Sequence, residues 1–162
     1  PEAYRALLKE FLEMGYQVRG FDVANPDRKH LILRHDIDMS LQDADPIAEI
    51  EANLGLSATY FVLLKSEFYN PFSLASVKAL DSLRDRGHSI GLHLDASLYP
   101  DSADALEAAA GAECDVLATL IGAPVRSISF HRPANALIGY DKSLAGRMHA
   151  YEPRFVEAMG YV

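Results

Sequence analysis

Asp36 and Asp38 stand two residues apart at the end of the run Leu31-Ile32-Leu33-Arg34-His35-Asp36-Ile37-Asp38. Three successive aliphatic residues followed by polar ones read as a buried strand whose far end opens into a site. Alternate residues of a strand share a face, so the two carboxylates point the same way. Neighbouring carboxylates repel unless a cation, a proton or a buried base separates them, and a metal ion is the commonest reason to build such a pair. Two solvated aspartates in a loop are the plainer alternative. Recurrence of the design favours a site: polar residues gather again in Lys65-Ser66-Glu67-Phe68-Tyr69-Asn70, in His93-Leu94-Asp95 and in Ser129-Phe130-His131-Arg132-Pro133, each after an apolar run.

The elements that must position these residues alternate in type. A helical stripe over Tyr4 to Met14 ends at Gly15, and a turn-rich link over Gly20 to His30 leads into a strand over Leu31 to Asp38. Ser40 is placed as an N-cap for a helix whose Ile47, Ile50 and Leu54 share one face and which closes at Gly55. Ala58 to Leu64 is a second strand, apolar enough to be covered on both faces. Leu74 to Arg86 reads as helix, Ser89 to Asp95 as strand, Ala103 to Ile121 as a long helix, Ser127 to His131 as strand and Arg147 to Tyr151 as a fifth strand. Strands alternating with helices at this spacing give right-handed β-α-β units and a parallel sheet, either doubly wound or barrel-like. No G-x-G-x-x-G turn follows the first strand, which disfavours a dinucleotide fold. Met159-Gly160-Tyr161-Val162 reads as the opening of another strand, so the expectation is one domain over 1–162, cut short at its C-terminal end.

A chain of 162 residues is long enough for one domain with a sizeable core. Its formal net charge of −8 argues against nucleic acid or an anionic membrane as the main partner. The single cysteine, Cys114, excludes an intramolecular disulfide and a cysteine-rich zinc site, and reads as core filler in a helix. No apolar run is long enough to span a membrane, and Pro1-Glu2-Ala3-Tyr4-Arg5 is no signal peptide, so a cytoplasmic setting is the default.

In parallel β/α folds the carboxyl ends of the strands form one rim, where catalytic groups collect. Separate segments thus bring two histidines and three aspartates to one mouth. Histidine and carboxylate donors suit Zn, Fe, Co, Ni or Mn rather than Ca. His93 and His131 lie at strand ends and are the candidate ligands; His88 begins its strand and reads as structural. His30 and His149 read as surface or junction residues. His35 alternates with the two aspartates and should face the helix layer, bonding to a neighbouring loop.

These ordered motifs resemble the polysaccharide deacetylase superfamily (NodB-homology, carbohydrate esterase family 4), from about Leu31 onward. The aspartate pair after a buried strand is matched by Asp36 and Asp38, and Ala-Thr-Tyr-Phe-Val by Ala58 to Val62. Gly-His-x-Ile-Gly-x-His is matched by Gly87-His88-Ser89-Ile90-Gly91-Leu92-His93, and an Arg-x-Pro-type segment is approximated by Phe130-His131-Arg132-Pro133. The resemblance implies an irregular, here incomplete, (β/α) barrel and a metal-dependent hydrolase that removes an acyl, most simply acetyl, group from an amino sugar. It makes Asp36 the general base and Asp38 and His93 ligands of a divalent metal, zinc first. Where the family places another ligating histidine, four residues after His93, this chain has Ser97. His131 is then the choice for the third ligand, with Asp95 second and otherwise a substrate-binding residue. Arg132 is expected to orient Asp36 or to bind an anionic group, His131 to protonate the leaving amine if it is not a ligand, and Tyr69, Phe68 and Tyr99 to stack on a sugar ring. The alternatives are a hydrolase of a non-sugar amide, a non-catalytic glycan-binding descendant, and an iron oxygenase built on His93, Asp95 and His131. Helices between the strands disfavour the oxygenase.

Overall fold

The structure, a computed structural model, describes residues 1–159. Its centre is a five-stranded, wholly parallel sheet in the order β3 (Arg34–Ile37), β4 (Thr59–Leu63), β5 (Ser89–Leu94), β6 (Ser127–Phe130), β7 (Met148–His149). A two-stranded parallel ribbon of β1 (Gln17–Val18) and β2 (His30–Leu31) precedes it. The helices are α1 (Glu2–Glu13), α2 (Asp45–Asn53), α3 (Leu74–Asp85), α4 (Ala103–Ile121) and α5 (Pro153–Val156). This is the expected alternation of strands and helices around a parallel sheet, and the described residues form no closed barrel. None of their helices is long and apolar enough to cross a membrane.

Local chemistry sets the helix ends. The Ser73 and Ser102 side chains cap α3 and α4, accepting from the backbone N–H groups of Ser76 and Ala105, and α4 stops at Gly122 in the left-handed region. Two sequence expectations are corrected here. Ser40 does accept from the Asp43 N–H, but it opens a 3₁₀ turn over Gln42–Ala44; α2 itself begins at Asp45 with a proline in its first turn. The strand expected over Leu31 to Asp38 is two strands. The Leu31 carbonyl accepts from Arg19 in the small ribbon, whereas the Leu33 carbonyl accepts from Thr59 in the main sheet, so the chain changes partners between them. The further strand expected to open at Met159-Gly160-Tyr161-Val162 involves residues 160–162, which lie outside the described residues.

Every residue of β4 is buried, as its apolar run implies. Tyr60 and Val62 pack toward the helices, while Phe61 joins Phe21, Ala150 and Phe155 in a second cluster. Gly91 on β5 makes room for the Phe61 ring: a Cβ there would stand 2.5 Å from two ring carbons and 2.9 Å from the Ser127 carbonyl oxygen. Gly91→Ala is therefore expected to cost about 1–3 kcal/mol through overpacking. A thermal melt checks this, since each kcal/mol lowers Tm by about 2–4 °C in a chain of this size. An unaltered Tm would show that the ring moves aside freely.

Behind β3 lies a buried polar cluster that the sequence reading missed. Glu51 of α2 is fully buried. Its Oε1 accepts from Tyr4 (2.5 Å) and from His35 Nε2 (2.6 Å), and its Oε2 from Tyr60 (2.6 Å). His35 thus faces the helix layer as expected, although its partner is a helix residue rather than a loop. Its ring also stacks on Tyr60 at 4.6 Å. His88 is structural, as expected: the Ala58 N–H donates to Nδ1, and Nε2 lies 3.0 Å from the Ala48 carbonyl oxygen. Burial works against the Glu51 charge, but the donors from His35, Tyr4 and Tyr60 outweigh it and hold the carboxyl below its ordinary value of 4.5. A carboxyl depressed in the folded state adds stability above its unfolded value and loses it as pH falls through the folded value. Glu51→Gln should therefore flatten the acid limb of a stability–pH profile below about pH 4.5. Denaturant titrations between pH 3 and 7 provide the check, and a limb of unaltered steepness would contradict the assignment.

Candidate active site

Because all five main strands are parallel, their carboxyl ends meet on one rim. His93 pairs in register with Leu63 on one side and Ser129 on the other, and Asp38 lies one residue beyond the Ile37–Val62 pair. The His131 N–H donates to the Leu94 carbonyl at 2.8 Å, which fixes the chain leaving β6 beside the end of β5. These placements bring Asp38, His93 and His131 together on a cleft of about 490 Å³ that is also lined by Asp36, Met39, Lys65, Phe68, Leu98, Arg132 and Tyr151.

Asp38 Oδ1 is 3.2 Å from His93 Nε2 and 3.1 Å from His131 Nδ1, and the two nitrogens are 3.3 Å apart. Oδ1 is buried, yet neither histidine contact has the alignment of a hydrogen bond, so the oxygen has no donor among the described residues. Three donor atoms so spaced match one face of a coordination polyhedron with bonds of about 2.0–2.2 Å. Desolvation holds His93 below the ordinary imidazole value of 6.5 despite the opposing pull of Asp36 and Asp38. A neutral imidazole offers a lone pair, as a ligand must. The residues present therefore fit a divalent ion held by one carboxylate and two imidazoles.

Asp36 occupies the neighbouring position, with Oδ2 3.8 Å from His93 Nε2. It is held by Arg34, whose Nε donates to Oδ1 at 2.9 Å and whose Nη2 donates to Oδ2 at 2.6 Å. The same Nη2 lies 2.7 Å from Ser129 Oγ and 2.9 Å from the Tyr151 hydroxyl oxygen, its two N–H groups shared among these and Asp36 Oδ2, and the guanidinium lies 4.7 Å from the Tyr151 ring centroid. Ser129 Oγ in turn donates to Asp36 Oδ2 at 3.2 Å. Arg34 was missed as a site residue, although it lies two before Asp36 and the strand parity that aligns Asp36 with Asp38 also puts it on their face.

The other expected site residues are placed differently. Arg132 is exposed on the cleft and does not orient Asp36, since Arg34 takes both carboxylate oxygens. Asp95 lines the cleft, but its Oδ1 caps the turn Ala96–Leu98, accepting from both the N–H (3.0 Å) and the hydroxyl (2.6 Å) of Ser97. Ser97, at the position of the family's usual histidine, is thereby an exposed capping partner. The Tyr69 hydroxyl donates to the Ile37 carbonyl (2.9 Å) and accepts from the Leu63 N–H (3.0 Å), bracing the ends of β3 and β4, and Tyr69 does not line the cleft. Tyr99 is likewise engaged by Lys65 and Glu113, whereas Phe68 is exposed on the cleft. His149 is corrected from surface or junction to fully buried, between Phe130 and Tyr140, because β7 pairs with β6 and turns it inward. Cys114 is buried core, and burial pushes its thiol up to about 12, which leaves no thiolate at neutral pH.

No family model and no curated protein sequence matches the chain. Solved structures do. The Streptococcus pyogenes deacetylase PplD, solved in complex with acetate, superposes with a TM-score of 0.60 at 17% identity, covering 80% of this chain and 61% of that one. BC0361, a polysaccharide deacetylase from Bacillus cereus, superposes with a TM-score of 0.59 at 18% identity, covering 78% of this chain and 42% of that one. The chain thus has the fold of polysaccharide deacetylases, as its motifs suggested, and matches less than two thirds of the length of either protein. At these identities what is shared is the fold.

Proposed function

We propose that this domain is a metal-dependent hydrolase that removes an acyl group, most simply acetyl, from the nitrogen of an amino sugar. The observation that carries the reading is the position of Asp36, a carboxylate held by an arginine, 3.8 Å from His93 Nε2, one of three ligand atoms gathered in one cleft. The fold shared with polysaccharide deacetylases supports the same chemistry.

In this reading Asp38, His93 and His131 hold the divalent ion, with zinc the first choice. When bound, such an ion polarises an acyl oxygen and lowers the pKa of water from about 16 toward 7. Asp36 accepts a proton from the attacking water as its oxygen bonds to the acyl carbon. Arg34 and Ser129 keep that carboxylate in a single orientation throughout. With both histidines in the ligand set, the same proton passes from Asp36 to the departing nitrogen as the carbon–nitrogen bond breaks. The products are a carboxylate and an amine. Met39, Phe68 and Leu98, exposed on the cleft, offer an apolar surface to a sugar ring.

The test is acetate release from N-acetylglucosamine oligomers by the zinc-loaded protein, before and after chelation. Release that is lost with chelator and restored by zinc supports the proposal. A protein with one tightly bound ion that hydrolyses neither these oligomers nor simple N-acyl amides would overturn it.

A further inference from the structure

Arg132 follows His131 directly and is exposed on the cleft that Asp38, His93 and His131 share. The guanidinium that Asp36 requires is already supplied by Arg34. Glu67 and Asp95 also line the cleft, yet among the described residues no hydrogen bond or ion pair reaches Arg132. The other cation there, Lys65, donates to Tyr99 at 2.6 Å and lies 3.6 Å from Glu113, so its charge is compensated. Arg132 also has φ +48°, and only one other non-glycine residue among those described, Ala145, has a positive φ. A backbone setting this unfavourable persists where the surroundings enforce it, and such settings cluster at ligand sites.

We infer that Arg132 is a specificity residue that receives an anionic oxygen group, carboxylate or phosphate, carried by the substrate close to its acyl–nitrogen bond. The inference rests on the proposed hydrolase reading and narrows its substrate to acidic amino sugars. A planar guanidinium pairs with either anion through two parallel hydrogen bonds, stronger than any it makes to a neutral sugar hydroxyl.

The test compares binding of three deacylated amino sugars, which require no turnover, to the metal-loaded protein by titration calorimetry: glucosamine, its 6-phosphate and muramic acid, a carboxylate. At least one anionic sugar should bind about tenfold or more tightly than glucosamine, and which of the two does so distinguishes phosphate from carboxylate. Arg132→Ala should bring that ratio close to one, while Arg132→Lys should keep part of it as a point charge. A wild-type ratio near one for both anions, or a ratio that survives Arg132→Ala, would overturn the inference. Failure of the acylated counterparts, of N-acetylglucosamine oligomers and of simple N-acyl amides alike to release acetate would instead overturn the hydrolase reading, leaving the binding ratios to decide the role of Arg132.

Discussion

Asp36→Asn is expected to lower kcat for acetate release by about 10²–10⁴-fold, the range for loss of a positioned general base. The substitution keeps the size of the side chain and removes its ability to take a proton. Asp38, His93 and His131 remain in place, so metal content should stay near that of the wild type. The pair of measurements, steady-state kinetics and elemental analysis, separates loss of the base from loss of the ion. Arg34→Ala should show a milder form of the same pattern, because Arg34 acts through Asp36 and two of its hydrogen bonds fix the carboxylate plane. Activity within tenfold of wild type in Asp36→Asn would remove Asp36 from the role of base.

His131→Ala carries the second large effect. With Asp38 and His93 alone, two donors replace a three-donor face, and zinc affinity should fall by at least about 100-fold, beyond the loss that follows when a residue supporting a ligand is mutated. The side chain lies at the rim rather than in the core, so the melting temperature without metal should change little. Equilibrium dialysis against zinc, alongside a melt in chelator, makes the measurement. Undiminished affinity would mean that Asp95 or another donor completes the set, and would return Ser97 and its neighbours to consideration.

Much of this site is legible from strand parity alone. Asp36 and Asp38 share a face because they are two apart, and His93 and His131 reach the same rim because each ends a strand in a parallel sheet. The same rule would have found Arg34, which escaped notice because an arginine between a buried run and a histidine also reads as a solvated strand end. Glu51 was legible in principle as well: it sits four residues after Ile47, on the apolar stripe of its helix, where an acid needs donors. Those donors come from Tyr4, His35 and Tyr60, dispersed along the chain, and no local pattern announces them.

Other features depend on tertiary pairing that a single sequence does not encode. The break in the strand expected over Leu31 to Asp38 arises from the ribbon partner at Gln17–Val18, a strand of two residues with no periodicity to detect. From the sequence Tyr69 reads as a substrate residue, because aromatic residues on rim loops often meet ligands. Its hydroxyl instead braces two strand ends, donating to the Ile37 carbonyl and accepting from the Leu63 N–H. His149 became buried because β7 adds to the sheet edge through only two residues, and its neighbours Phe130 and Tyr140 close over it.

The most direct test of the central claim is a titration of the metal-free protein with zinc in which bound ion and acetate release are followed together. One equivalent should bind, and activity on an N-acetylated amino sugar should rise in proportion and saturate at that equivalent. No saturable binding, or activity indifferent to the bound ion, would contradict the assignment of Asp38, His93 and His131 as a working metal centre.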